Sequence, residues 1–378
     1  MPCDSAASHH TAFGKKSVGG NFRIWLVRLS AAKRKKGSFL QRQLTTDGHA
    51  AIMGTESDLT RAARYSIPFL LLLIPLWRTR IASIVPEPYL DEVFHVGQAQ
   101  TYWAHKWSQW DHRITTPPGL YLWSYLVCSL VLVLRGSPRE LNAEALRTTN
   151  TAAAAIFLPW RLQTLLDSIR GERNTRPAGA RLGQTVLNIC LFPPLFFFSG
   201  LYYTDVLALL AVIEAYNWDI KGRRRNSPPS TTLVFMIFGL GALLFRQTNI
   251  FWVAVFLGGL RVVWTLRQSS RDCTASDLRG IVDRSSKNEL YDPTIMEASV
   301  TGEMLFPFTI GKSLLLIIWS PFLADYFKTS VSLAINGLSN VRLALISAIP
   351  YVTILAAFGG FVLWNNGVVL GELLRASG

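Results

Sequence analysis

Residues 86–120 read PEPYLDEVFHVGQAQTYWAHKWSQWDHRITTPPGL, and they lie between an apolar stretch at 65–86 and a second one at 118–135. Carboxylates, histidines and tryptophans are crowded into this segment, whereas the flanking stretches are mostly aliphatic and aromatic. A loop that only joins two membrane helices has no need for so many side chains that can exchange protons or donate hydrogen bonds. We therefore expect the flanking stretches to set the fold and this segment to carry the function.

The composition of the whole chain is that of a membrane protein. Of its 378 residues 50% are hydrophobic, and the mean hydropathy is +0.26, which is too apolar for a soluble protein of two domains. A bilayer core needs about 20 apolar residues per helix. The candidate spans are 65–86, 118–135, 143–167, 183–201, 203–220, 231–247, 249–267, 309–327 and 342–364. The predicted fold is therefore all-α, a polytopic transmembrane helical bundle of eight or nine segments with a loop at the membrane interface.

The net charge of +14 is unevenly distributed, because residues 1–64 carry eleven Lys and Arg against four Asp and Glu. Basic clusters can bind nucleic acid, but in membrane proteins Lys and Arg collect in short cytosolic segments. The second interpretation fits an apolar chain, so we expect no nucleic-acid partner. The basic connections 161–181, 221–225 and 268–308 then face the cytosol with the N-terminus, and 87–117 emerges on the opposite side.

These patterns divide the chain into three regions. Residues 1–64 have the composition of a disordered cytosolic tail, residues 65–371 form the multi-spanning domain, and residues 372–378 are an atypical C-terminal end. Within the domain, 87–117 is the first loop on the far side of the membrane, and 268–308 is expected to be a flexible cytosolic loop.

The spacing of polar residues after the first apolar stretch predicts a helix with one polar face. If 90–106 is helical, four residues at intervals of four, three and four positions share a face. They are Asp91, His95, Gln98 and Tyr102. A carboxylate close to a membrane needs a partner or a task, and Asp91 or Glu92 has the chemistry of a general base. Alternatively, the two acidic residues only cap the N-terminus of the helix, and the spacing does not choose between these interpretations.

Trp110 and Asp111 form a pair that is suited to binding a sugar, because sugar rings stack on aromatic rings while a carboxylate accepts their hydroxyl protons. Aromatic residues in such loops usually form the belt at the membrane interface, so this pair alone is weak evidence. The histidines lack the spacing of a metal site, and we expect no bound metal. Among them, His95 is the best candidate for a hydrogen bond to substrate or to Asp91.

A short connection at 201–205, LYYTD, faces the same side as the first loop in this topology. Tyr203 and Asp205 in this connection are candidate binding residues. Asp205 also has the position of a helix cap, which is the alternative interpretation.

The run FRQTN at 245–249 interrupts two apolar stretches on that side with consecutive polar residues. The planar guanidinium of Arg246 suits a phosphate group, and Gln247 and Asn249 are candidate hydrogen-bonding residues beside it. The alternative is a tight turn whose Arg reaches the membrane surface.

Together these motifs resemble those of a known enzyme family. The motifs are PEPYLDEVFH at 86–95, QWD at 109–111, ITTPPGLY at 114–121 and FRQTN at 245–249. They closely resemble the dolichyl-phosphate-glucose-dependent α-1,2-glucosyltransferases of the endoplasmic reticulum, which add the terminal glucose to the lipid-linked oligosaccharide. The resemblance extends from about residue 65 to residue 371.

The resemblance implies a GT-C-type fold in the endoplasmic reticulum membrane, multi-pass, with a luminal site and a cytosolic N-terminus. It also implies an essential acidic pair in the first luminal loop, here Asp91 and Glu92, and a β-linked glucosyl phosphate donor that gives an α-linked product. Inversion in one displacement needs a base on the acceptor hydroxyl and no covalent intermediate. Asp91 is then the predicted base, and Glu92 and His95 are predicted to orient either Asp91 or the 2-hydroxyl of the acceptor. Arg246 is the predicted phosphate contact, ahead of Lys312.

The partners expected from this resemblance are the dolichol-linked donor, the oligosaccharide acceptor and membrane lipid. No cofactor and no obligatory protein partner are expected. The predicted substrate-binding residues are Gln98, Trp110, Asp111, Tyr203, Asp205, Arg246, Gln247 and Asn249.

Several alternatives stay open from the residues alone. Another polyprenyl-phosphate-sugar-dependent glycosyltransferase has the same residue chemistry, a transporter places its carboxylates near the bilayer midplane, and a non-catalytic membrane regulator needs no base. The motif WNNGVVLG at 364–371 also resembles the family, whose sequences continue into an Asp-Lys-containing stretch and further spans. Because this chain ends ELLRASG at 372–378, we expect either a truncation relative to the family or a faulty gene model.

Overall fold

The described part of the chain is almost entirely helical, which confirms the all-α prediction. The computed structural model describes residues 67–135, 141–172, 179–224, 227–273, 275, 277–292 and 314–368, all within the unit Ala63–Gly378. The predicted tail 1–64, the end 372–378 and Lys312 lie outside these residues.

The described helices are numbered in chain order. In the first part they are α1 (Ile67–Ile84), α2 (Glu92–Trp103), α3 (Gly119–Arg135), α4 (Ala143–Ala152), α5 (Leu158–Glu172), α6 (Gly179–Cys190) and α7 (Pro193–Ser199). In the second part they are α8 (Asp205–Gly222), α9 (Pro229–Phe245), α10 (Leu257–Ser269), α11 (Leu278–Ser286), α12 (Leu314–Ser339) and α13 (Val341–Asn365). π-Helical segments at Ala153–Phe157 and Phe251–Phe256 precede α5 and α10.

Among the described residues, two helices are long and apolar enough to cross a membrane, α1 and α13. Helices α3 and α9 are also apolar but have 17 residues each, which corresponds to about 25 Å of helix. Large apolar side chains are exposed on these helices, among them Leu72, Val133, Ile237 and Leu363. Such surfaces are typical of contact with lipid. The number of eight or nine spans stays a prediction.

Helix α4, the π-helical segment and α5 continue one another from Ala143 to Glu172. Asn142 caps this long helix, since its side-chain oxygen accepts a hydrogen bond from the backbone N–H of Ala145 at 2.8 Å. The π-helical segment begins with three buried alanines and packs against α8. Small side chains allow two helices to approach closely, so this segment fixes α8 beside the helix that carries much of the site.

Gly119 lets the start of α3 approach the end of α9. A Cβ atom at this position would lie 2.5 Å from the carbonyl oxygen of Leu244, which no side chain can tolerate without a shift of the backbone. The carbonyl of Thr115 then lies beside the turn after α9, where it accepts a hydrogen bond from Gln247 at 2.9 Å. The first loop and the FRQTN turn are therefore neighbours.

Part of the loop 268–308, which was expected to be flexible, has regular structure. Strands β1 (Arg271–Asp272) and β2 (Glu289–Leu290) pair in parallel, and α11 packs against α12. In register, Arg271 lies opposite Glu289 and Asp272 lies opposite Leu290. Ile281 is fully buried, and the hydroxyls of Ser285 and Ser332 lie 2.7 Å apart. These apolar and hydroxyl groups anchor the described part of the stretch on α12, and the flexibility of the loop stays a prediction.

Candidate functional site

The chain turns sharply between α1 and α2. Residues 85–89 lie outside any helix, as expected for a segment with Pro86 and Pro88. Leu90 has a left-handed backbone with φ of 52°, which is uncommon for a residue with a side chain. After this turn, Asp91 is exposed whereas Glu92 is fully buried.

Glu92 forms a buried ion pair with Arg147 of α4. Nε of Arg147 donates to Oε1 at 3.0 Å and Nη2 donates to Oε2 at 2.6 Å. The same carboxylate accepts the backbone N–H groups of Tyr202 at 2.6 Å and Tyr89 at 2.9 Å. Both oxygens of Glu92 are thus occupied by protein groups. Its predicted contact with an acceptor hydroxyl stays a prediction, and these partners do not favour it.

Asp91 is held by its main chain. Its backbone N–H donates to the hydroxyl of Tyr203 at 3.0 Å, and that hydroxyl donates to the backbone oxygen of Tyr89 at 3.2 Å. The Asp91 carboxylate makes no capping hydrogen bond, so helix capping does not account for this side chain. Burial raises the pKa of Tyr203, which keeps its hydroxyl protonated. An anchored residue with an exposed carboxylate has the arrangement that a general base requires.

His95 lies one turn after Asp91 on the buried face of α2. Its Nδ1 lies 2.6 Å from the hydroxyl of Tyr121. Burial lowers the pKa of His95 from 6.5; the charges of Asp91 and Glu92 raise it, and that of Arg246 lowers it further. Because burial is the largest of these effects, the imidazole is neutral at neutral pH.

Arg246 pairs with Asp205 at the start of α8. Nη1 lies 3.1 Å from Oδ1 and Nη2 donates to Oδ2 at 3.3 Å, while Nε donates to the hydroxyl of Thr204 at 3.1 Å. The backbone at Arg246 is extended and ends α9. The side chain of Arg246 thus points toward Thr204 and Asp205. The side chain remains 42% exposed, so a second anion can reach the guanidinium.

A cavity of about 500 Å³ opens beside Asp205 between α6, α7 and α8. Its walls are mainly apolar and include Ile189, Phe192, Leu195, Phe198 and Leu209. In the part of the chain that the structure describes, Asp205, which pairs with Arg246, is the only charged residue that lines this cavity. A mainly apolar cavity suits an apolar ligand.

Gln98 clamps the second half of the loop. Its Nε2 donates to the carbonyl oxygen of Gln109 at 2.8 Å, and its Oε1 accepts the backbone N–H of Asp111 at 2.9 Å. The carboxylate of Asp111 in turn accepts the backbone N–H of Arg113 at 2.9 Å. Gln98 and Asp111 therefore shape the loop, and their predicted contacts with substrate stay predictions.

Trp110 belongs to an aromatic cluster. Its ring centroid lies 5.9 Å from that of Tyr121 and 6.4 Å from that of Tyr102. The indole Nε1 is buried and has no hydrogen-bond partner among the described residues. A buried donor without a partner is costly, and the predicted contact of Trp110 with a sugar stays a prediction.

Gln247 and Asn249 hold the turn after α9. Gln247 donates to the carbonyl of Thr115, and Nδ2 of Asn249 donates to the carbonyl of Ala242 at 2.8 Å. The second contact satisfies one of the carbonyls that a helix leaves unpaired at its end. Both side chains thus bind the backbone, and their predicted roles toward substrate stay predictions.

The structure brings together five of the residues singled out from the sequence. They are Asp91, His95, Tyr203, Asp205 and Arg246.

Two buried residues of α4 were not singled out from the sequence. Arg147 holds Glu92, and Asn150 donates to the carbonyls of Leu201 and Tyr203 at 3.0 and 2.6 Å. An Arg and an Asn one turn apart in the candidate span 143–167 were the available signal, because polar residues within a span need partners.

Residues 85–374 match the model of the DIE2/ALG10 family. A relative from Aspergillus fumigatus is 61% identical over 316 residues, which are 84% of this chain and 48% of the relative. Relatives from Emericella nidulans and Mus musculus are 58% and 30% identical and share 84% and 76% of this chain, and 48% and 52% of their own length.

All three relatives carry the name Dol-P-Glc:Glc(2)Man(9)GlcNAc(2)-PP-Dol alpha-1,2-glucosyltransferase. The chain spans about half the length of these curated relatives. No solved structure matches it.

Proposed function

The chain belongs to the DIE2/ALG10 family, and from this membership we propose that it is a glycosyltransferase that moves glucose from dolichyl phosphate glucose to the lipid-linked oligosaccharide. The new bond is an α-1,2 linkage, as in the name of its relatives. The observation that carries the proposal is the exposed carboxylate of Asp91, anchored through its main chain beside His95, whose imidazole is also influenced by the charge of Arg246.

The proposed setting is the endoplasmic reticulum membrane. Apolar helices and the family support a membrane protein. The finer proposal is a multi-pass GT-C-type bundle with the loop 87–117 in the lumen and the N-terminus in the cytosol. Its support is the basic connection that begins at Lys221, at the opposite end of α8 from Asp205.

The proposed reaction is a single displacement. Asp91 takes the proton from the 2-hydroxyl of the acceptor sugar while that oxygen attacks the anomeric carbon of the donor glucose. The bond from this carbon to the phosphate oxygen breaks, and the anomeric centre inverts. His95, kept neutral by burial, does not form an ion pair with Asp91, so the carboxylate stays available for the proton.

The leaving group departs as the dolichyl phosphate anion, so it needs positive charge and not a proton. The exposed part of the Arg246 guanidinium supplies that charge, and Asp205 keeps its plane in place. The apolar cavity beside Asp205 suits the first units of the lipid chain, since each buried methylene contributes about 0.8 kcal/mol. A monophosphate donor does not call for a metal or another cofactor.

The test is a glucose-transfer assay in microsomes from cells that lack their own enzyme of this family. When this chain is expressed there, we expect the accumulated lipid-linked oligosaccharide to gain one α-1,2-linked glucose from radiolabelled dolichyl phosphate glucose. Absence of this product, with the chain present in the membrane in an amount equal to that of an active relative, would overturn the proposal.

A further inference from the structure

We infer that Arg147 is a positioning residue for Asp91 and acts through Glu92. This inference rests on the proposed glucosyl transfer. In this inference, buried Glu92 holds the loop, and exposed Asp91 contacts the acceptor.

Arg147 binds both ends of the turn that carries Asp91. Its Nη1 donates to the carbonyl oxygen of Val85 at 2.8 Å, and its Nη2 donates to that of Glu87 at 3.0 Å. Its Nε and Nη2 also hold the carboxylate of Glu92. One planar side chain from α4 thus fixes the chain before and after Asp91, and a guanidinium is suited to such forked contacts.

Glu92 extends this contact to the connection before α8. It accepts the backbone N–H of Tyr202, and the next residue, Tyr203, holds the backbone N–H of Asp91. Asn150, one turn after Arg147, holds the carbonyl of Tyr203 from the other side. Helix α4 therefore contacts both the turn before Asp91 and Tyr203, whose hydroxyl accepts the backbone N–H of Asp91.

The turn at residues 85–90 does not by itself fix the position of Asp91. Residues 85–89 form no helix and Leu90 is left-handed, so no regular hydrogen bonds fix the chain before Asp91, whose carbonyl begins the hydrogen bonds of α2. A general base must lie within hydrogen-bond reach of its proton, and a misplacement of about 1 Å costs roughly a hundredfold in rate. Because Arg147 and Glu92 are 1% and 0% exposed, they do not themselves contact a substrate.

The experiment compares this pair with a second Arg–Glu pair that involves the same long helix. Arg161 of α5 contacts Glu214 through two nitrogens, one of them at 2.8 Å, with side chains 15% exposed. It lies 14 residues after Arg147, about 21 Å along the helix, and does not contact the loop. The control variants are Arg161→Lys and Glu214→Gln.

In the microsomal assay, we expect Arg147→Lys and Glu92→Gln to lower kcat roughly a hundredfold with little change in the donor KM. The double variant should be no worse than either single variant, because both break one unit. In the dependence of kcat on pH, the decrease at low pH should occur at the same pH as in the unaltered protein, since Asp91 remains the base. The control variants should keep kcat per folded molecule.

Normal kcat in Arg147→Lys would overturn the inference. So would loss of the decrease at low pH in Glu92→Gln together with its retention in Arg147→Lys, because Glu92 would then be the base.

A second measurement does not depend on activity. Trypsin can cleave the loop after Lys106 and Arg113, which are exposed. In permeabilised microsomes we expect faster cleavage at these sites in Arg147→Lys than in Arg161→Lys, and equal rates would overturn the inference. If the unaltered chain transfers no glucose, the proposed function fails, and the cleavage rates alone decide whether Arg147 holds the turn.

Discussion

Asp91 and Glu92 are adjacent in the chain, yet they meet different surroundings. The left-handed turn at Leu90 directs Asp91 outward and Glu92 toward Arg147. A buried carboxylate must be paired to stay charged, whereas a base must be accessible to its proton donor. In the proposed mechanism the two residues therefore divide structural and chemical roles, and substitutions at each position are expected to impair activity for different reasons.

Replacing Asp91 with Asn removes the proposed base but keeps the size of the side chain and the backbone N–H that binds Tyr203. We expect Asp91→Asn to lower the rate of glucose transfer at least about a hundredfold, because general bases contribute 10²- to 10⁴-fold. Abundance in the membrane should equal that of the unaltered protein. The control is Glu87→Gln, an exposed carboxylate in the same turn, which should transfer glucose normally. Retained activity in Asp91→Asn would remove this residue from the mechanism.

Replacing Arg246 tests the proposed phosphate contact. A hydrogen bond to a charged group contributes about 1.5–3 kcal/mol, so Arg246→Ala should raise the KM for dolichyl phosphate glucose by roughly tenfold or more. Arg113→Ala, which removes an exposed Arg from the loop, is the matched control. A donor KM that is unchanged in Arg246→Ala would contradict the assignment.

The lowered pKa of His95 predicts how stability depends on pH. In the unfolded chain the imidazole binds a proton near pH 6.5, whereas in the folded protein it does so only at lower pH. Below pH 6.5 the unfolded state therefore binds more protons, and stability falls as the pH falls. The decrease in Tm from pH 7.5 to pH 5.5 in detergent should be smaller in His95→Gln than in the unaltered protein.

His112→Gln serves as the control for this experiment, because that side chain is 74% exposed. Its Tm should change with pH as in the unaltered protein. Equal decreases in all three proteins would show that His95 does not contribute to this pH dependence.

Residue types and local spacing were enough to single out Asp91, His95 and Arg246, because their chemistry is visible in the sequence. The partners of Glu92 and Gln247 were not predictable, since they lie far away in the chain. Arg147 is 55 residues from Glu92, and Gln247 is 132 residues from Thr115. Contacts over such separations depend on how helices pack, and packing is not encoded in the spacing of one segment.

At the scale of helices, the periodic pattern of the sequence predicted that a helix exists more accurately than it predicted the residues at which the helix begins and ends. The polar-faced helix expected over 90–106 is observed at Glu92–Trp103, and the span expected over 143–167 belongs to a helix that runs from Ala143 to Glu172. The prolines and the left-handed Leu90 delay the start of α2. The π-helical segment was not predicted, because a run of alanines has a high propensity for a regular α-helix.

The close approach of α3 and α9 can be tested with one methyl group. Gly119→Ala places a Cβ atom against the backbone of Leu244, so the helices must separate, at a cost of about 1–3 kcal/mol. We expect a lower Tm and weaker glucose transfer, since the first loop then moves away from Arg246. Gly97→Ala in α2 is the control, because its Cβ atom meets nothing within 4 Å. Alanine favours helix over glycine by about 1 kcal/mol, so this variant should be at least as stable as the unaltered protein.

At the scale of the whole molecule, charge and apolar surface together suggest an orientation. In the proposed topology, the basic connection after α8 and the loop between α1 and α3 lie on opposite sides of the membrane. The sequence alone supported this arrangement through the positive-inside rule. Exposed apolar side chains on α1, α3, α9 and α13 are consistent with it, while the number of crossings depends on segments that are shorter than a full span.

Cysteine labelling tests the orientation. In a background whose four native cysteines are replaced by Ser, Ser108→Cys and Arg224→Cys introduce thiols at exposed positions. A membrane-impermeant maleimide should label Arg224→Cys in intact microsomes and Ser108→Cys only after permeabilisation. The reverse pattern would place the candidate site in the cytosol and contradict the proposed topology.

The hydroxyl of Tyr203 binds the backbone N–H of residue 91 and does not bind its side chain. Every amino acid except proline supplies the same N–H, so Asp91→Cys preserves this attachment while introducing a nucleophile that can be alkylated. A photoreactive group coupled to that thiol would lie where the glucosyl transfer is proposed to occur. Cross-links formed from it would identify, by mass, whichever lipid or glycan approaches, even for a variant that no longer turns over.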